Sequence, residues 1–402
     1  MNGAFSSATA GTINVLLDIN GFVNRGDQLM LEACYGQTRT RLPRATICVG
    51  ENAYWEGIAW CRARGVLPLA PRRPGAKARF KEYAVRLFQT ASRRRFRLYP
   101  SEIDLILAAP GFHYGDAFEN IYSNRMVEEE IRKFRSFKKK KRHVVLLPQA
   151  LGPFEKPLSH RLFEGVLACT DIVYARDKTS FDLVLKRFPE AKTRLRLGPD
   201  FTCLAEGTNP TVSFPHRSAV IVIPNVRMTT HAGESGESYV AFMVDVCKRL
   251  TERGEKVILL NHEGKEDEAI IRQLNRMCGE HYPVLSGLSG LDCKSVIGNA
   301  KLVVSSRYHG VVSGLTQDIP TFCTGWSHKY GELLVEHGCP GNLLDVQNPE
   351  KAFRLLADAL DHPEKYVSQP GYNDKLRNES STMWDEIIRE ATEKQLMARA
   401  FV

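Results

Sequence analysis

The stretch AEGTNPTVSFPHRSAVIVIP, residues 205–224, decides how the chain is read. Residues 205–217 are rich in Gly, Pro, Thr and Asn and carry no apolar period, whereas SAVIVIP is a strand-sized apolar run. A linker that ends in a fresh strand divides the surrounding pattern in two. Upstream, β-rich runs at 12–19, 46–49, 103–108, 143–147 and 172–174 alternate with helical patterns at 26–35, 76–92, 158–168 and 179–187. Downstream, runs at 219–223, 256–260, 301–304 and 320–323 alternate with helical patterns at 238–252, 268–277 and 311–315. Tyr239, Met243, Val246 and Leu250 recur at helical spacing, placing one apolar stripe on one face. Such alternation predicts an α/β protein with parallel, doubly wound sheets covered by helices on each side of the linker. We expect an N-terminal domain over 1–208, a C-terminal domain over 209–402, and the functional cleft between them. A last helix near 380–396 is placed to pack back across that cleft.

The composition agrees. At about 150 residues per domain, 402 residues make two or three domains. With 43% hydrophobic and 25% charged residues, disorder is excluded as the main theme. The 55 basic and 46 acidic residues leave a charge of +9, which favours an anionic partner. No apolar run reaches membrane-span length, and residues 1–12 lack the basic and apolar regions of a secretory signal. The ten cysteines include no C-x-x-C pair and read as buried free thiols, so a reducing cytoplasm is expected. The basic runs 93–97 and 138–142 read as solvated faces, with peripheral contact to an anionic membrane as the alternative. They lack interleaved aromatics, so no nucleic-acid partner is expected.

Several absences narrow the chemistry. There is no G-x-G-x-x-G after a strand, no phosphate-binding G-x-x-x-x-G-K-[ST], no D-x-D and no H-E-x-x-H. Neither a cofactor nor a metal site is expected. His262 and Glu263 with Glu266, Asp267 and Glu268 form an acidic cluster that reads as a solvated helix start.

Four strand-end loops carry the candidate site. In INGFVNRGDQLML (19–31), Gly21 and Asn24 allow an irregular turn before a helix beginning near Gly26 and Asp27. Its backbone N–H groups suit an anion, although Asp27 taken alone reads first as a helix cap. In VVLLPQALGPF (144–154), Gln149 leaves a buried strand and can reach a ligand, or merely sit in a turn. In IVYARDKTSFDLVL (172–185), Arg176 stands before a helix capped by Asp177 or Thr179 and can hold a carboxylate or phosphate in a fork. KLVVSSRYHGVVSGL (301–315) is the strongest: a strand delivers Ser305, Ser306, Arg307 and His309 to a helix N-terminus. That arrangement suits a dianion and offers a titratable imidazole. A further loop after 320–323 carries Trp326, His328 and Lys329.

Asn24, Gly26, Asp27 and Met30 (where the pattern usually has Leu), then P-Q-x-x-G-P, A-R-D-x-x-S and S-R-Y-H-G, appear in an order that resembles the polysaccharide pyruvyl transferase family. The resemblance spans roughly residues 13–336. It implies two Rossmann-like domains facing a cleft, as in the glycosyltransferase type B arrangement, with the donor between them. It further implies transfer of the enolpyruvyl unit of phosphoenolpyruvate to sugar hydroxyls as a cyclic ketal. By the same resemblance the donor-binding arginines fall on Arg176 and Arg307 and the active-site histidine on His309. The family's lysine falls on Lys329, with WSH departing from the usual pattern. We expect His309 as general acid and Asp27 as base, with His328 second. A saccharide acceptor, lipid-linked at the inner membrane face, is the expected partner. The rivals are a nucleotide-sugar-dependent glycosyltransferase of the same architecture and a non-catalytic anion- or lipid-binding protein of the same pathway.

Overall fold

The computed structural model describes residues 13–70, 89, 95–111, 113–138, 142–206, 218–231, 234–279 and 281–400. The expected boundary at 208/209, the helix at 76–92 (save Gln89), and residues 93–94 and 139–141 of the two basic runs lie outside these residues. Arg142, from the second run, is not on a solvated face: it is 4% exposed and donates to the carbonyls of Ser136 and Pro100.

Seven parallel strands form the first sheet: β1 Asn14–Asp18, β2 Thr46–Val49, β3 Leu67–Pro68, β4 Leu105–Ala108, β5 His143–Gln149, β6 Ile172–Ala175 and β7 Leu195–Leu197. Their order is β3-β2-β1-β4-β5-β6-β7. Five more parallel strands form the second: β8 Val220–Ile223, β9 Val257–Leu260, β10 Val284–Leu285, β11 Leu302–Ser305 and β12 Thr321–Cys323, ordered β10-β9-β8-β11-β12. The central strands are apolar along their length because both faces are covered by helices, as in parallel sheets generally.

In each sheet the winding reverses once, between β1 and β4 and between β8 and β11. Loops leaving the C-terminal ends of strands on either side of such a reversal diverge and leave a crevice. The helices that matter for this crevice are α1 (Arg25–Arg41), α2 (Asn124–Lys138), α3 (Pro157–Leu167), α4 (Lys178–Arg187), α5 (Glu234–Glu252), α6 (Gly264–Met277), α7 (Gly290–Gly298), α8 (Tyr308–Leu315), α9 (His328–Glu336) and α10 (Tyr372–Ala400). The expected stripe on α5 is buried throughout, with Tyr239, Met243, Val246 and Leu250 at most 1% exposed.

The last helix returns to the first sheet. Met383, Trp384, Ile387, Ile388 and Ala391 of α10 join the core that contains Val15, Leu17 and Leu29. Trp384 is fully buried against Phe201, Lys394 of the helix pairs with Asp171 at 2.7 Å, and its Glu390 pairs with Arg196 of β7 at 2.8 Å. Helices and turns flanking the two sheets also meet directly. Gly290 N donates to Gln28 Oε1 at 2.9 Å, the buried Lys294 ammonium donates to Thr202 O at 2.7 Å, and Thr179 Oγ1 donates to Glu332 at 2.7 Å.

Candidate active site

The two winding reversals face one another across a cleft of about 390 Å³. Loops after β1 and β4 supply Asn20, Asn24, Asp27 and His113; those after β8, β9, β11 and β12 supply Asn225, His262, Arg307, His309 and Lys329. Arg176 enters from the end of β6. Six residues singled out from the sequence, Asn24, Asp27, Arg176, Arg307, His309 and Lys329, therefore line one space.

The α1 start is built by Asn24, whose Oδ1 accepts from Gly26 N at 2.7 Å and Asp27 N at 3.4 Å. Asn24 is thus the cap, and Asp27 is released from that role to face the cleft. Burial pushes the Asp27 carboxyl up to about 7, against a hydrogen bond with Asn20. Gly26 does not line the cleft. A Cβ there would meet His309 Nδ1 at 2.2 Å, so the glycine is the surface on which the imidazole of the opposite sheet rests.

Asp200, just beyond β7, joins the two halves. Its Oδ2 lies 3.2 Å from Arg176 Nη1 and 3.6 Å from His309 Nε2, while Oδ1 accepts from Thr202 N and Oγ1 at 3.0 and 2.5 Å. Burial raises this carboxyl, but the His309 imidazole when protonated, Arg176 and the Thr202 bonds outweigh it and bring it below its ordinary value. His309 responds in the opposite sense. Burial lowers its imidazole to about 4, with Arg176, Lys329 and Lys294 adding to burial and Asp200 opposing. The free site thus holds His309 neutral at pH 7.

Arg176 stacks on Tyr308, its guanidinium carbon 3.9 Å from the ring centroid. Lys329 lies over three rings, with Nζ 4.7 Å from Trp326, 5.4 Å from Tyr308 and 5.5 Å from Tyr330. Burial first, and the Arg176 and Arg307 charges next, hold its amine well below the usual range, opposed by Asp177. Arg307 is gripped from behind. Its Nε and Nη2 donate to Asp267 Oδ2 and Oδ1 at 2.7 and 2.5 Å, and Nη1 pairs with Glu263. The fork expected to be open to a ligand is therefore filled by Asp267, leaving the remaining N–H groups of the two terminal nitrogens.

Other expectations need correction. Gln149 is fully buried and does not line the cleft; it ends β5 inside the sheet, and its carbonyl accepts from Arg176 N at 3.0 Å. The following loop packs instead on α4, with Leu151 N donating to Ser180 Oγ at 2.8 Å. Ser305 and Ser306 are likewise fully buried. Ser305 Oγ closes a turn with Arg307, and Ser306 Oγ is held by Tyr239 and Thr324, both at 2.7 Å. His328 opens α9 half-buried and outside the cleft lining, because the next residue, Lys329, is turned about 100° around the helix into it. The helix cap at 177/179 is Asp177, which accepts from Ser180 N at 2.7 Å.

The acidic cluster is only partly solvated. Glu266 is exposed and Glu268 half-buried, but Asp267 is fully buried on Arg307, and His262 is 1% exposed on the cleft wall. Burial, reinforced by Arg307, His309 and Arg25, lowers His262 to about 3. Asp200, Asp267, Tyr308 and His262 were not singled out as site residues. The signal available for His262 and Asp267 was the one used for the other loops: polar residues following an apolar strand at its carboxyl end.

Among solved structures, the UDP-GlcNAc 2-epimerase from Neisseria meningitidis bound to UDP-GlcNAc has a similar fold, with a TM-score of 0.61 and 11% identity over 94% of this chain and 100% of that one. The UDP-GlcNAc 2-epimerase from Methanocaldococcus jannaschii follows at 0.58 and 9%, over 94% and 100%. HepE from Anabaena, in complex with UDP and glucose, matches at 0.54 and 12%, over 97% and 100%. At such identities the likeness establishes the fold, two Rossmann-like domains of the glycosyltransferase type B arrangement. The polysaccharide pyruvyl transferase family model matches residues 24–328, from the Asn24 cap through Arg176, Arg307 and His309 to the start of α9. The chain belongs to the polysaccharide pyruvyl transferase family, and so to the transferases.

Proposed function

We propose that the protein transfers the pyruvyl unit of phosphoenolpyruvate to two hydroxyls of a cell-surface saccharide or its precursor, forming a cyclic ketal and releasing phosphate. The observation that carries this reading is the convergence of Arg176, Arg307 and Lys329 around His309 in one cleft, with Asp27 across from them. A small molecule bearing both a carboxylate and a phosphate matches that charge pattern. Arg176 holds its anionic groups, Lys329 joins it as the donor's charge favours the protonated amine, and Arg307 contributes the N–H groups that Asp267 and Glu263 leave.

In the first step the methylene carbon takes a proton and the positive charge develops at C2. An acceptor hydroxyl adds there and gives its proton to Asp27. The C2–O bond to phosphate then breaks, and the second hydroxyl adds at C2 to close the ring, passing its proton to the released phosphate. His309 is neutral in the free site, and the negative charge of a bound donor raises its affinity for a proton. It then acts as the acid, at the methylene or on the departing phosphate.

Phosphoenolpyruvate should raise the melting temperature, and incubation in D₂O with a saccharide should release phosphate and leave deuterium in the new methyl group. A product heavier by phosphate or by a hexose would overturn the reading. UDP-bound relatives of this fold make a nucleotide-sugar reaction the second reading; stabilisation by a UDP-sugar and not by phosphoenolpyruvate would favour it. Because side-chain cations neutralise the donor, turnover should survive EDTA, and loss restored by Mg²⁺ would count for the second reading. Among the described residues no helix is long and apolar enough to cross a membrane. The setting we propose is cytoplasmic, with a lipid-linked saccharide at the inner membrane face as acceptor.

A further inference from the structure

A second cavity, of about 440 Å³, adjoins the cleft and shares Asn20, Pro110 and His113 with it. It lies between the carboxyl ends of β1 and β4 and the helices α2 and α3, away from the second sheet. Asp18, Glu130 and Lys133 form its polar side. Lys133 Nζ stands 2.8 Å from Asp18 Oδ2 and 2.8 Å from Glu130 Oε1. All three side chains stay between 23% and 34% exposed, so they hold one another while still facing the cavity. Two carboxylates against one ammonium leave the group negative. Tyr122, Met126 and Leu162 supply an apolar wall, and Met126 is 46% exposed.

These features select a ligand by chemistry. An anionic group would be repelled by the excess carboxylate, and a wholly apolar one would strip water from three charges without replacing it. A sugar ring offers a C–H face to the apolar wall and hydroxyls that both donate to carboxylates and accept from an ammonium. We propose that this cavity is the acceptor subsite and takes an uncharged sugar, its neighbouring hydroxyls held by Asp18, Glu130 and Lys133. The reacting hydroxyl then enters the cleft between Asn20 and His113. Asn20 donates from Nδ2 to Pro110 O at 3.1 Å and also hydrogen-bonds Asp27, which places the proposed base beside that junction. This assignment rests on the pyruvyl transfer reading and specifies its acceptor.

Titration of p-nitrophenyl β-glucoside, β-galactoside and β-mannoside, with p-nitrophenyl β-glucuronide as the charged counterpart, tests it by ligand-observed NMR with phosphoenolpyruvate present and absent. At least one neutral glycoside should bind the wild type in preference to the glucuronide. Glu130→Gln and Lys133→Met should each weaken it about tenfold, the loss of one hydrogen bond to a charged group. The wild-type melting shift with phosphoenolpyruvate should persist in both variants and report their folding. Binding of none of the neutral glycosides, equal binding of the glucuronide, or unchanged affinity in both folded variants would overturn the subsite. Failure of phosphoenolpyruvate to stabilise the wild type counts against the donor reading alone, since glycoside binding is observed without turnover.

Discussion

Gly26→Ala is the most informative single change, because it adds one methyl group at the point where the two halves of the site touch. The new Cβ would lie 2.2 Å from His309 Nδ1 and 2.9 Å from its Cγ. To restore an ordinary contact of 3.4 Å the imidazole must retreat by about 1.2 Å, a displacement of the size that costs about a hundredfold in rate when it moves a catalytic group. The retreat also disturbs the 3.6 Å relation between His309 Nε2 and Asp200. Stability should respond much less. Overpacking costs about 1–3 kcal/mol, and replacing a helical glycine by alanine returns up to about 1 kcal/mol. The net loss is about 0–3 kcal/mol, equivalent to a few degrees of melting temperature. Phosphate release from phosphoenolpyruvate and a saccharide, measured beside thermal melting, separates the two effects. We expect kcat to fall about a hundredfold while melting shifts by a few degrees. A variant that melts normally and retains kcat within about threefold of the wild type would refute the claim that the ring's placement depends on this glycine.

Asp267→Ala leaves the buried Arg307 without its bidentate partner and should cost about 3–5 kcal/mol in urea unfolding, well beyond the cost of exposed Glu266→Ala; equal midpoints would show that the pair is not structural. Asp27, raised to about 7, must be ionised to act as base, so turnover should climb through pH 7 and this limb should vanish in Asp27→Asn. The sign for stability is opposite: the folded state binds its proton more tightly than the unfolded, so stability is lost as pH rises towards 7, and Asp27→Asn should melt above the wild type at pH 8. His309, lowered to about 4 by burial, should take up a proton when the donor's charge arrives; calorimetry of phosphoenolpyruvate binding in buffers of different ionisation enthalpy should detect uptake in the wild type and less in His309→Gln.

Local sequence determined the elements because their signals are short-range. An apolar run such as VVLLP must be buried on both faces, and the stripe of Tyr239, Met243, Val246 and Leu250 can bury only as one helix face. Alternation of the two then restricts the topology to parallel sheets, whose ligand crevices lie at the strands' carboxyl ends. For that reason Asp27, Arg176, Arg307, His309 and Lys329 are legible in the sequence: each follows a strand. Short edge strands such as β3, β7 and β10 carry too few residues to show a pattern.

Which way a strand-end side chain turns is decided only by tertiary packing. Gln149 and Ser306 occupy the same kind of position as Arg176 and His309, yet neighbouring elements enclose them and leave them no route to the cleft. The partners of the charged groups also come from far along the chain. Asp200 reaches His309 across the two sheets, and Asp267 reaches Arg307 across 40 residues. The charge state of the site follows from those meetings. An aspartate pushed up to about 7 and a histidine lowered to about 4 are properties of burial and long-range neighbours, which no local stretch of residues contains.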